Sequence, residues 1–298
     1  MTARSYTSPA AFKQALEARL RADATRLGRP INRQRQLVVF DRFLARVMEA
    51  LGDRVVVKGG VVLELRLARA RTTKDLDLRV LGDPDALEAQ LNAACALDLG
   101  DHLRFEVRPD PEHPTFEGEG IVYAGRRFPA SAQLAGKLYG QHFGVDAGFA
   151  DRLVEAPEIL PGSAFLEFAG IAASRLRVYP RESHVAEKLH AYTLPRPREN
   201  TRVKDLPDLA LLALTGSFEG ERLRAALEAT FAFRGTHALP ATLPAPPSAW
   251  AAPYARIAQT DSLPWPTLDA VTAAASAFLD PVLRGSAQSW DSSAWRWG

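Results

Sequence analysis

One stretch of sequence, residues 55–80 (VVVKGGVVLELRLARARTTKDLDLRV), constrains the fold of this chain more than any other. It begins with three valines, turns on Gly59 and Gly60, continues as an apolar run of helical character, and ends in a second strand-like segment. That last segment carries Asp75 and Asp77. The order of strand, glycine turn, helix and acidic strand predicts an α+β fold with a mixed α/β sheet built around this unit.

The two aspartates indicate a metal site. Strand side chains alternate between the two faces of a sheet, so Asp75 and Asp77 share one face while Leu76 and Leu78 point into the core. Two carboxylates on one face repel each other unless a cation lies between them. Oxygen ligands of this kind favour Mg²⁺, which takes further ligands from waters and substrate phosphates. The pair therefore indicates phosphoryl or nucleotidyl transfer.

The paired glycines point to the same chemistry. Gly59 and Gly60 let the backbone come close to a ligand, and at the start of a helix they offer N–H groups to an anion such as a phosphate. The alternative is a surface β-hairpin with a glycine turn and two solvated aspartates. The combination of GG and DLD in one strand-helix-strand unit favours the metal-nucleotide site over that hairpin.

Composition sets the class of protein. With 298 residues, 47% of them hydrophobic and 24% charged, the chain has the composition of a globular protein with one large or two modest domains. No apolar run approaches the roughly 18 residues that span a bilayer, and the N-terminus lacks the apolar segment of a signal peptide. We therefore expect a cytoplasmic protein without a membrane partner. Cys95 is the only cysteine, which excludes internal disulfides and cysteine-based metal clusters.

Two basic stretches suggest a nucleic-acid partner. Residues 1–37 contain eight lysines and arginines against two acidic residues, and residues 175–204 contain eight against three. Basic surfaces attract phosphate backbones, which makes RNA or DNA a plausible partner. A solvated arginine-rich surface is the alternative for either stretch.

The chain is predicted to have three parts. Residues 1–52 form a helical, basic segment, residues 53–180 form the core, and residues 181–298 form a helical domain that completes the active site. Pattern and turn residues predict strands at 103–107, 120–123, 128–138, 141–147 and 176–179, and helices near 83–97, 206–214, 220–231 and 268–283. The proline-rich stretch 240–253 is interpreted as a tether or surface wrap, and the five tryptophans of the last 49 residues as packing of the tail onto the fold.

Further polar residues are candidates for the site. In a strand over 141–147, Asp146 lies on the face opposite Phe143 and Val145, where it could join the two aspartates as a third carboxylate. Lys188 could reach a triphosphate from a helix, or be a solvated lysine. Asp205 could orient that lysine or bind metal, or it could only cap the helix that follows.

Five segments, KGGVVLELR, RTTKDLDL, VDAGFADRL, AEKLHA and RVKDLPDL, resemble in this order the AbiEii-type nucleotidyltransferases, which include the MenT-type toxins of bacterial toxin-antitoxin pairs. The resemblance implies a DNA-polymerase-β-like core followed by a helical region, NTP and Mg²⁺ as substrate and cofactor, and a cognate antitoxin as partner. It also implies transfer of a nucleotide, often a pyrimidine, to the 3′ acceptor end of tRNA, which stops aminoacylation.

The resemblance also assigns roles to residues. Asp75 and Asp77 match the metal-binding DxD, with Asp146 at the position of a third metal-binding carboxylate. Lys188 and Asp205 match the lysine and the acidic residue that complete the catalytic set. The residues that match nucleotide-binding positions are Lys58, Gly59, Gly60, Thr73, Lys188 and Arg202. The sequence departs from the pattern at Val61, where serine or threonine is common, and Thr73 stands where some members are phosphorylated by a kinase-like antitoxin.

Two other functions remain open at this point. A nucleotidyltransferase with this core could act on a small molecule or a protein, and a catalytically silent descendant could bind nucleotide without chemistry. Reversing the charge at Arg29, Arg33 and Arg35 should weaken activity on tRNA and spare activity on a small acceptor.

Overall fold

The protein is described from a computed structural model, over residues 6–67, 72–117, 124–149, 155–196 and 200–298. The helices of this part of the chain are α1 (Pro9–Leu27), α2 (Ile31–Leu51), α3 (Gly60–Arg66), α4 (Leu87–Cys95), α5 (Arg181–Thr193), α6 (Asp205–Ala213), α7 (Gly220–Arg234), α8 (Ala251–Asp261) and α9 (Leu268–Leu283). The strands are β1 (Val55–Lys58), β2 (Leu76–Val80), β3 (Leu103–Val107), β4 (Thr115–Glu117), β5 (Ala124–Leu134), β6 (Lys137–Leu138), β7 (Phe143–Gly148), β8 (Glu158–Pro161), β9 (Arg175–Val178), β10 (Trp290–Asp291) and β11 (Arg296–Trp297).

The main sheet is mixed and has the unit 55–80 at its centre. Its strands lie in the order β3-β5-β7-β2-β1-β9-β8, with β4 and β6 paired to β5. β1 runs antiparallel to β2 and parallel to β9, while β2 runs parallel to β7. The predicted α+β class with a mixed α/β sheet is therefore confirmed.

The N-terminal helices pack onto this sheet and share its hydrophobic core. Buried apolar residues of α1 and α2 form one cluster with the inward-facing residues of the strands. The N-terminal segment predicted to be helical contains two helices, α1 and α2. Gly28 ends α1 in the left-handed region, at φ 62°, where its N–H bonds to carbonyls of the last turn, and Pro30 precedes α2.

Strand predictions were correct where hydrophobic alternation is strong. The prediction for 103–107 is confirmed, and those for 141–147 and 176–179 differ by one or two residues. The strand predicted over 128–138 is present but interrupted, because β5 ends at Leu134 and a turn at Ala135 and Gly136 separates it from β6. The predicted strand 120–123 lies outside the described residues. β4 and β8 were not predicted.

A second hydrophobic cluster belongs to the helices α5–α9. Leu63 of α3 is part of this cluster, whereas its neighbours Val61 and Val62 belong to the sheet cluster.

The tryptophan tail packs as predicted: Trp290 is buried and donates its indole N–H to the carbonyl of Ala213 at 2.8 Å. Among the described helices, none combines the length and the apolar character needed to cross a bilayer.

Candidate active site

Three carboxylates lie on one face at the centre of the sheet. In β2, Leu76 and Leu78 are buried, while Asp77 is partly exposed on the opposite side and Asp75, just before the strand, is exposed. The parallel pairing of β2 with β7 places Asp77 level with Asp146. Paired residues in a sheet point to the same face. The predicted face of three carboxylates is therefore present.

Asp75 is held by the neighbouring backbone. Its Oδ1 accepts a hydrogen bond from the N–H of Gly144 at 3.0 Å, and its carbonyl accepts one from the Thr73 hydroxyl at 3.2 Å. Its orientation thus depends on β7 and on the residues that precede β2.

Gly59 brings the glycine turn against Asp77. Gly59 has φ 73°, in the region that favours glycine, and a Cβ built there would lie 1.9 Å from Oδ2 of Asp77. The sequence predicted close approach to a ligand, whereas the structure shows close approach to a carboxylate. Gly60 is buried as the first residue of the short helix α3. The role of this turn in binding phosphate stays a prediction.

The charges around Asp77 influence its protonation. Burial is the main cause that raises the pKa of Asp77 to about 6, and the charges of Asp146 and Asp75 add to the increase. The cations Lys58 and Lys188 lower the same pKa, so both lie within electrostatic reach of the carboxylate. A cation bound at this face would remove the repulsion between the carboxylates.

Asp146 has a protein partner that the sequence did not reveal. Arg127, opposite it on β5, donates from Nε to Oδ1 and from Nη2 to Oδ2, both at 2.8 Å. This is the two-point geometry in which arginine binds a carboxylate most specifically. Asp146 lies where it was predicted, but in this state it is engaged by Arg127, and its role as a metal ligand stays a prediction.

The residues present fit a magnesium ion that is bound together with substrate. In the described ranges, no group of three or more acidic, histidine or cysteine side chains is placed to hold a metal ion. With Asp146 engaged by Arg127, the donors are the carboxylates of Asp75 and Asp77. Mg²⁺ is commonly held by one or two carboxylates, with waters and substrate phosphates completing its shell. The donor set therefore fits a metal-nucleotide complex.

The helical part of the site is a group of buried ion pairs. Lys188 of α5 lies with Nζ 2.9 Å from Oδ1 of Asp205 and 2.8 Å from Oδ2 of Asp208, both on α6. The side chains of Asp205 and Asp208 are 4% and 0% exposed. The interpretation of Lys188 as a solvated lysine is therefore wrong. Asp208 was missed, although its spacing of three residues from Asp205 places both on one helix face.

Asp205 does not cap a helix, as one interpretation held. It is the first residue of α6, and the preceding Lys204 forms no side-chain cap hydrogen bond. Instead Oδ2 of Asp205 accepts a hydrogen bond from Nε of Arg202. Burial lowers the pKa of Arg202, but the charges of Asp205, Asp77 and Asp208 raise it further than burial lowers it. The effect of Asp77 means that Arg202 lies within electrostatic reach of this carboxylate of the sheet.

Lys58 is the last residue of β1, and its side chain reaches Glu187 of α5. It is paired with Asp77 across β1 and β2, and its Nζ is 3.4 Å from Oε2 of Glu187 and 5.7 Å from the centre of the Tyr179 ring. The Tyr179 hydroxyl donates to Oε1 of Glu187 at 3.0 Å. Glu187, the residue before Lys188, thus fixes the position of Lys58. The sequence predicted a role for the lysine but none for this glutamate.

Thr73 is clamped between α2 and α3. Its N–H donates to Oε1 of Glu64 at 3.0 Å, and its carbonyl accepts from Nη1 of Arg33 at 2.8 Å. Arg33 in turn forms a two-point ion pair with Glu64. Thr73 is buried, and its hydroxyl donates a hydrogen bond to the carbonyl of Asp75. This clamp fixes the residues that lead into the acidic strand.

The same contacts change the interpretation of the N-terminal basic residues. Arg33 is engaged by Glu64, and Arg35 donates to both oxygens of Glu17, at 2.8 and 2.6 Å. These two arginines therefore hold the fold together, and reversing their charge would damage it regardless of the acceptor. Arg29 is half-buried and has a different environment, beside a pocket described below.

Comparison with known proteins supplies the family. A family model described as nucleotidyl transferase AbiEii toxin, Type IV toxin-antitoxin system, matches residues 42–282. Among solved structures, the chain is similar to MenT4, a nucleotidyltransferase toxin of Mycobacterium tuberculosis H37Rv, with 19% identity and a TM-score of 0.46 over 74% of this chain and 69% of that one. It is also similar to JHP933 from Helicobacter pylori, with 15% identity and a TM-score of 0.49 over 84% of this chain and 92% of that one. A search of curated proteins gave no match.

The matched residues 42–282 include most of the sheet, the three carboxylates and the ion pairs of the helical part. The resemblance based on five short motifs is thereby confirmed over most of the chain. This chain belongs to the AbiEii family of nucleotidyl transferase toxins.

Proposed function

We propose that this toxin transfers a nucleoside monophosphate from an NTP, with a pyrimidine as the expected base, to the 3′ acceptor end of tRNA. Such a transfer would block aminoacylation and translation. The observation that carries the proposal is the carboxylate pair Asp75 and Asp77 on one face of β2, with Lys58 opposite Asp77 on β1. Lys188 and Arg202 lie within electrostatic reach of Asp77. A face of carboxylates opposite cations suits a triphosphate with its metal, because positioning and charge neutralisation supply most of the catalysis of phosphoryl transfer.

The residues then have distinct roles. Asp75 and Asp77 would hold Mg²⁺, which supplies charge neutralisation on the phosphates when it is bound. Arg202 has five N–H donors, of which Nε binds Asp205, and it presents its guanidinium to the triphosphate. Lys188 is fixed by Asp205 and Asp208 as a point charge. A carboxylate of the sheet face takes the proton of the attacking 3′-hydroxyl, and pyrophosphate leaves.

The choice of tRNA rests on the resemblance and on charge. Arg21 and Arg26 of α1 have side chains that are 70% and 68% exposed, which provides positive surface for a phosphate backbone. The expected pyrimidine preference and the toxin's effect on aminoacylation rest on the resemblance alone.

An antitoxin is the expected partner. If a kinase-like antitoxin phosphorylates Thr73, the modification would replace the hydroxyl that donates to Asp75 with about −2 of charge beside the carboxylates. Because Thr73 is buried, the residues before β2 would have to open to accept the phosphate. Mass spectrometry of toxin purified with and without the neighbouring gene product would detect this modification.

The test is direct labelling. Purified protein is incubated with total tRNA, Mg²⁺ and each α-³²P-labelled NTP in turn, next to Asp75→Ala and a matched control, Asp53→Ala. Asp53 lies just before the first residue of β1, whereas Lys58 is the last residue of that strand. The Asp53 side chain is 90% exposed. Label on tRNA from the wild type and the control, but not from Asp75→Ala, is the expected result. Binding of Mg-NTP without label on any tRNA would overturn the assignment of tRNA as the acceptor. It would favour a small-molecule or protein acceptor, or a binding module without catalytic activity.

A further inference from the structure

A pocket lined by the two residues that precede Asp75 has no role in the mechanism above. It has a volume of about 330 Å³, within the range of about 300–1,000 Å³ that small-ligand pockets occupy. Its lining comes from residues 27–36, residues 64–67, residues 72–74, residues 141–142 and residues 260–262 at the end of α8. None of the described residues that line it belongs to the group of Lys188, Arg202 and Asp205. The pocket is therefore separate from the cations assigned to the triphosphate.

Two of the chain segments that line the pocket lead to Asp75, although Asp75 itself does not line it. Thr73 and Lys74, which line it, directly precede Asp75 in the chain. His142, which also lines it, is two residues before Gly144, whose N–H donates to Asp75 at 3.0 Å. A molecule in this pocket would thus contact the residues that precede and position Asp75, the most exposed carboxylate of the sheet face.

The charged groups of the lining favour an anion. Arg29 and Lys74 contribute positive charge, whereas the charge of Arg33, which also lines the pocket, is paired with Glu64. The two carboxylates of the lining, Glu64 and Asp261, already accept backbone N–H groups, from Thr73 at 3.0 Å and from Thr72 at 3.1 Å. Their acceptor capacity is therefore partly used within the protein, whereas Lys74 is exposed.

The uncharged groups suit a nucleobase. Asn32, Gln36 and Gln141 line the pocket, and Oε1 of Gln36 accepts the backbone N–H of Gln141 at 2.7 Å, which fixes the Gln36 side chain. Amides of this kind bind the polar edges of bases. The imidazole of His142 and the guanidinium of Arg29 provide planar surfaces for stacking, as is common where single-stranded RNA ends are bound.

We propose that this pocket receives the terminal nucleotide of the RNA acceptor, with Lys74 and Arg29 near its phosphate and the amides near its base. The 3′-hydroxyl would then face Asp75 and the bound NTP. This inference rests on the proposed nucleotidyl transfer and specifies where its acceptor binds. It also gives a role to Arg29, in the turn between α1 and α2, which lines the same pocket as Lys74.

The test measures acceptor binding separately from chemistry. The acceptor is a short single-stranded RNA with a free 3′-hydroxyl and the nucleotide sequence of the tRNA 3′ end, and the donor is the labelled NTP. Two variants change the pocket: Lys74→Glu reverses its charge, and Gln141→Trp fills it. The matched control is Lys137→Glu, an exposed lysine on β6 that does not line the pocket. Each variant is assayed for KM of the RNA, for kcat and for the Kd of NTP.

We expect both pocket variants to raise the KM for RNA about tenfold or more, with kcat and the Kd of NTP within about twofold of the wild type. The control should match the wild type in all three. If the wild type labels RNA and the two variants keep its KM, the pocket assignment is overturned and the proposed function stands.

The remaining outcomes separate the two proposals. If the wild type labels no RNA, the proposed function fails, and fluorescence anisotropy of the labelled RNA then tests the pocket alone. If the wild type, Lys74→Glu and Gln141→Trp bind the RNA with equal affinity in that experiment, the assignment of the pocket to the RNA terminus is overturned as well. Labelling of a protein, with the same two variants impaired, would overturn the assignment to a nucleotide and identify a polypeptide acceptor.

Discussion

The sheet and the helices hold their charged groups by different means. On the sheet, Asp75, Asp77 and Asp146 are placed by backbone geometry, through the two-residue period of β2 and its register with β7. On the helices, Lys188 is held by contacts with Asp205 and Asp208, side chains that are almost completely buried. A side chain placed by the backbone can be changed without loss of the fold, whereas removing one member of a buried ion pair leaves the other charge uncompensated.

The largest effect should follow from Lys188→Met. This change leaves Asp205 and Asp208 buried without their lysine, which we expect to lower the free energy of unfolding by about 3 kcal/mol or more. Nucleotidyl transfer should fall at least about 100-fold. Urea unfolding and the labelling assay measure the two effects. The control is Lys204→Met, because Lys204 is an exposed lysine that directly precedes α6. A fully stable Lys188→Met would show that the pairs contribute little, and the contrast between sheet and helices would be lost.

The next largest effect should come from Gly59→Ala. The new Cβ would lie 1.9 Å from Oδ2 of Asp77 in a backbone conformation with φ 73°. Strain and displacement of the carboxylate together should cost about 2–3 kcal/mol and abolish transfer. Gly235→Ala is the control, because Gly235 has φ 58° and its nearest heavy atom to a built Cβ is 3.9 Å away. We expect the control to cost about 1 kcal/mol by thermal unfolding and to keep its activity. Equal losses in both variants would mean that the contact with Asp77 is unimportant.

The comparison becomes sharpest between Asp77→Asn and Asp205→Asn. Both should abolish transfer, but with opposite effects on stability. Burial, together with the charges of Asp146 and Asp75, raises the pKa of Asp77 to about 6, so above that pH the wild type keeps an unfavourable charge that asparagine lacks. In EDTA at pH 8 we expect Asp77→Asn to be at least as stable as the wild type.

Asp205→Asn should instead lose about 1–2 kcal/mol, because asparagine cannot supply the charge that Lys188 and Arg202 bind. The denaturant midpoints of the two variants, measured side by side in EDTA, test whether their effects on stability are opposite. Equal destabilisation of both would contradict the distinction between the two halves of the site.

The smallest effect should follow from Arg127→Gln. The ion pair with Asp146 is partly exposed, at 39% and 19% for the two side chains, so its loss should cost less than about 1 kcal/mol. If Asp146 joins the metal ligands during catalysis, releasing it from Arg127 should lower the Mg²⁺ concentration that gives half-maximal activity. Arg104→Gln, an exposed arginine on β3, is the control. An unchanged or higher Mg²⁺ requirement would remove Asp146 from the metal set.

The sequence predicted the sheet half of the site better than the helical half, and the reason is physical. A strand fixes which side chains share a face through a period of two, so DLD identified Asp75 and Asp77 without knowledge of their neighbours. Asp146 was placed correctly because Phe143 and Val145 identify the buried face of its strand. Partners across the fold depend on register and helix packing, which local pattern does not give. For that reason Arg127, Asp208 and the clamp between Arg33 and Glu64 were missed.

The C-terminal half shows the same limit in its secondary structure. Residues 240–253 were interpreted as a tether because of their prolines, yet α8 begins at Ala251 with Pro253 in its first turn. Proline is tolerated there, because the first N–H groups of a helix have no partner within it. The edge strand β8 is four residues long and ends in proline, so its hydrophobic alternation was too short to detect. Both elements are stabilised by tertiary contacts rather than by local preference.

The seven-residue helix α3 joins the two hydrophobic clusters, with Val61 and Val62 in one and Leu63 in the other. Neither cluster can come apart without exposing one side of this helix. Thermal unfolding should therefore be a single cooperative transition, although the chain has two cores. A circular permutation that opened the chain within α3 would uncouple the two cores, while an opening in a surface loop far from it would not.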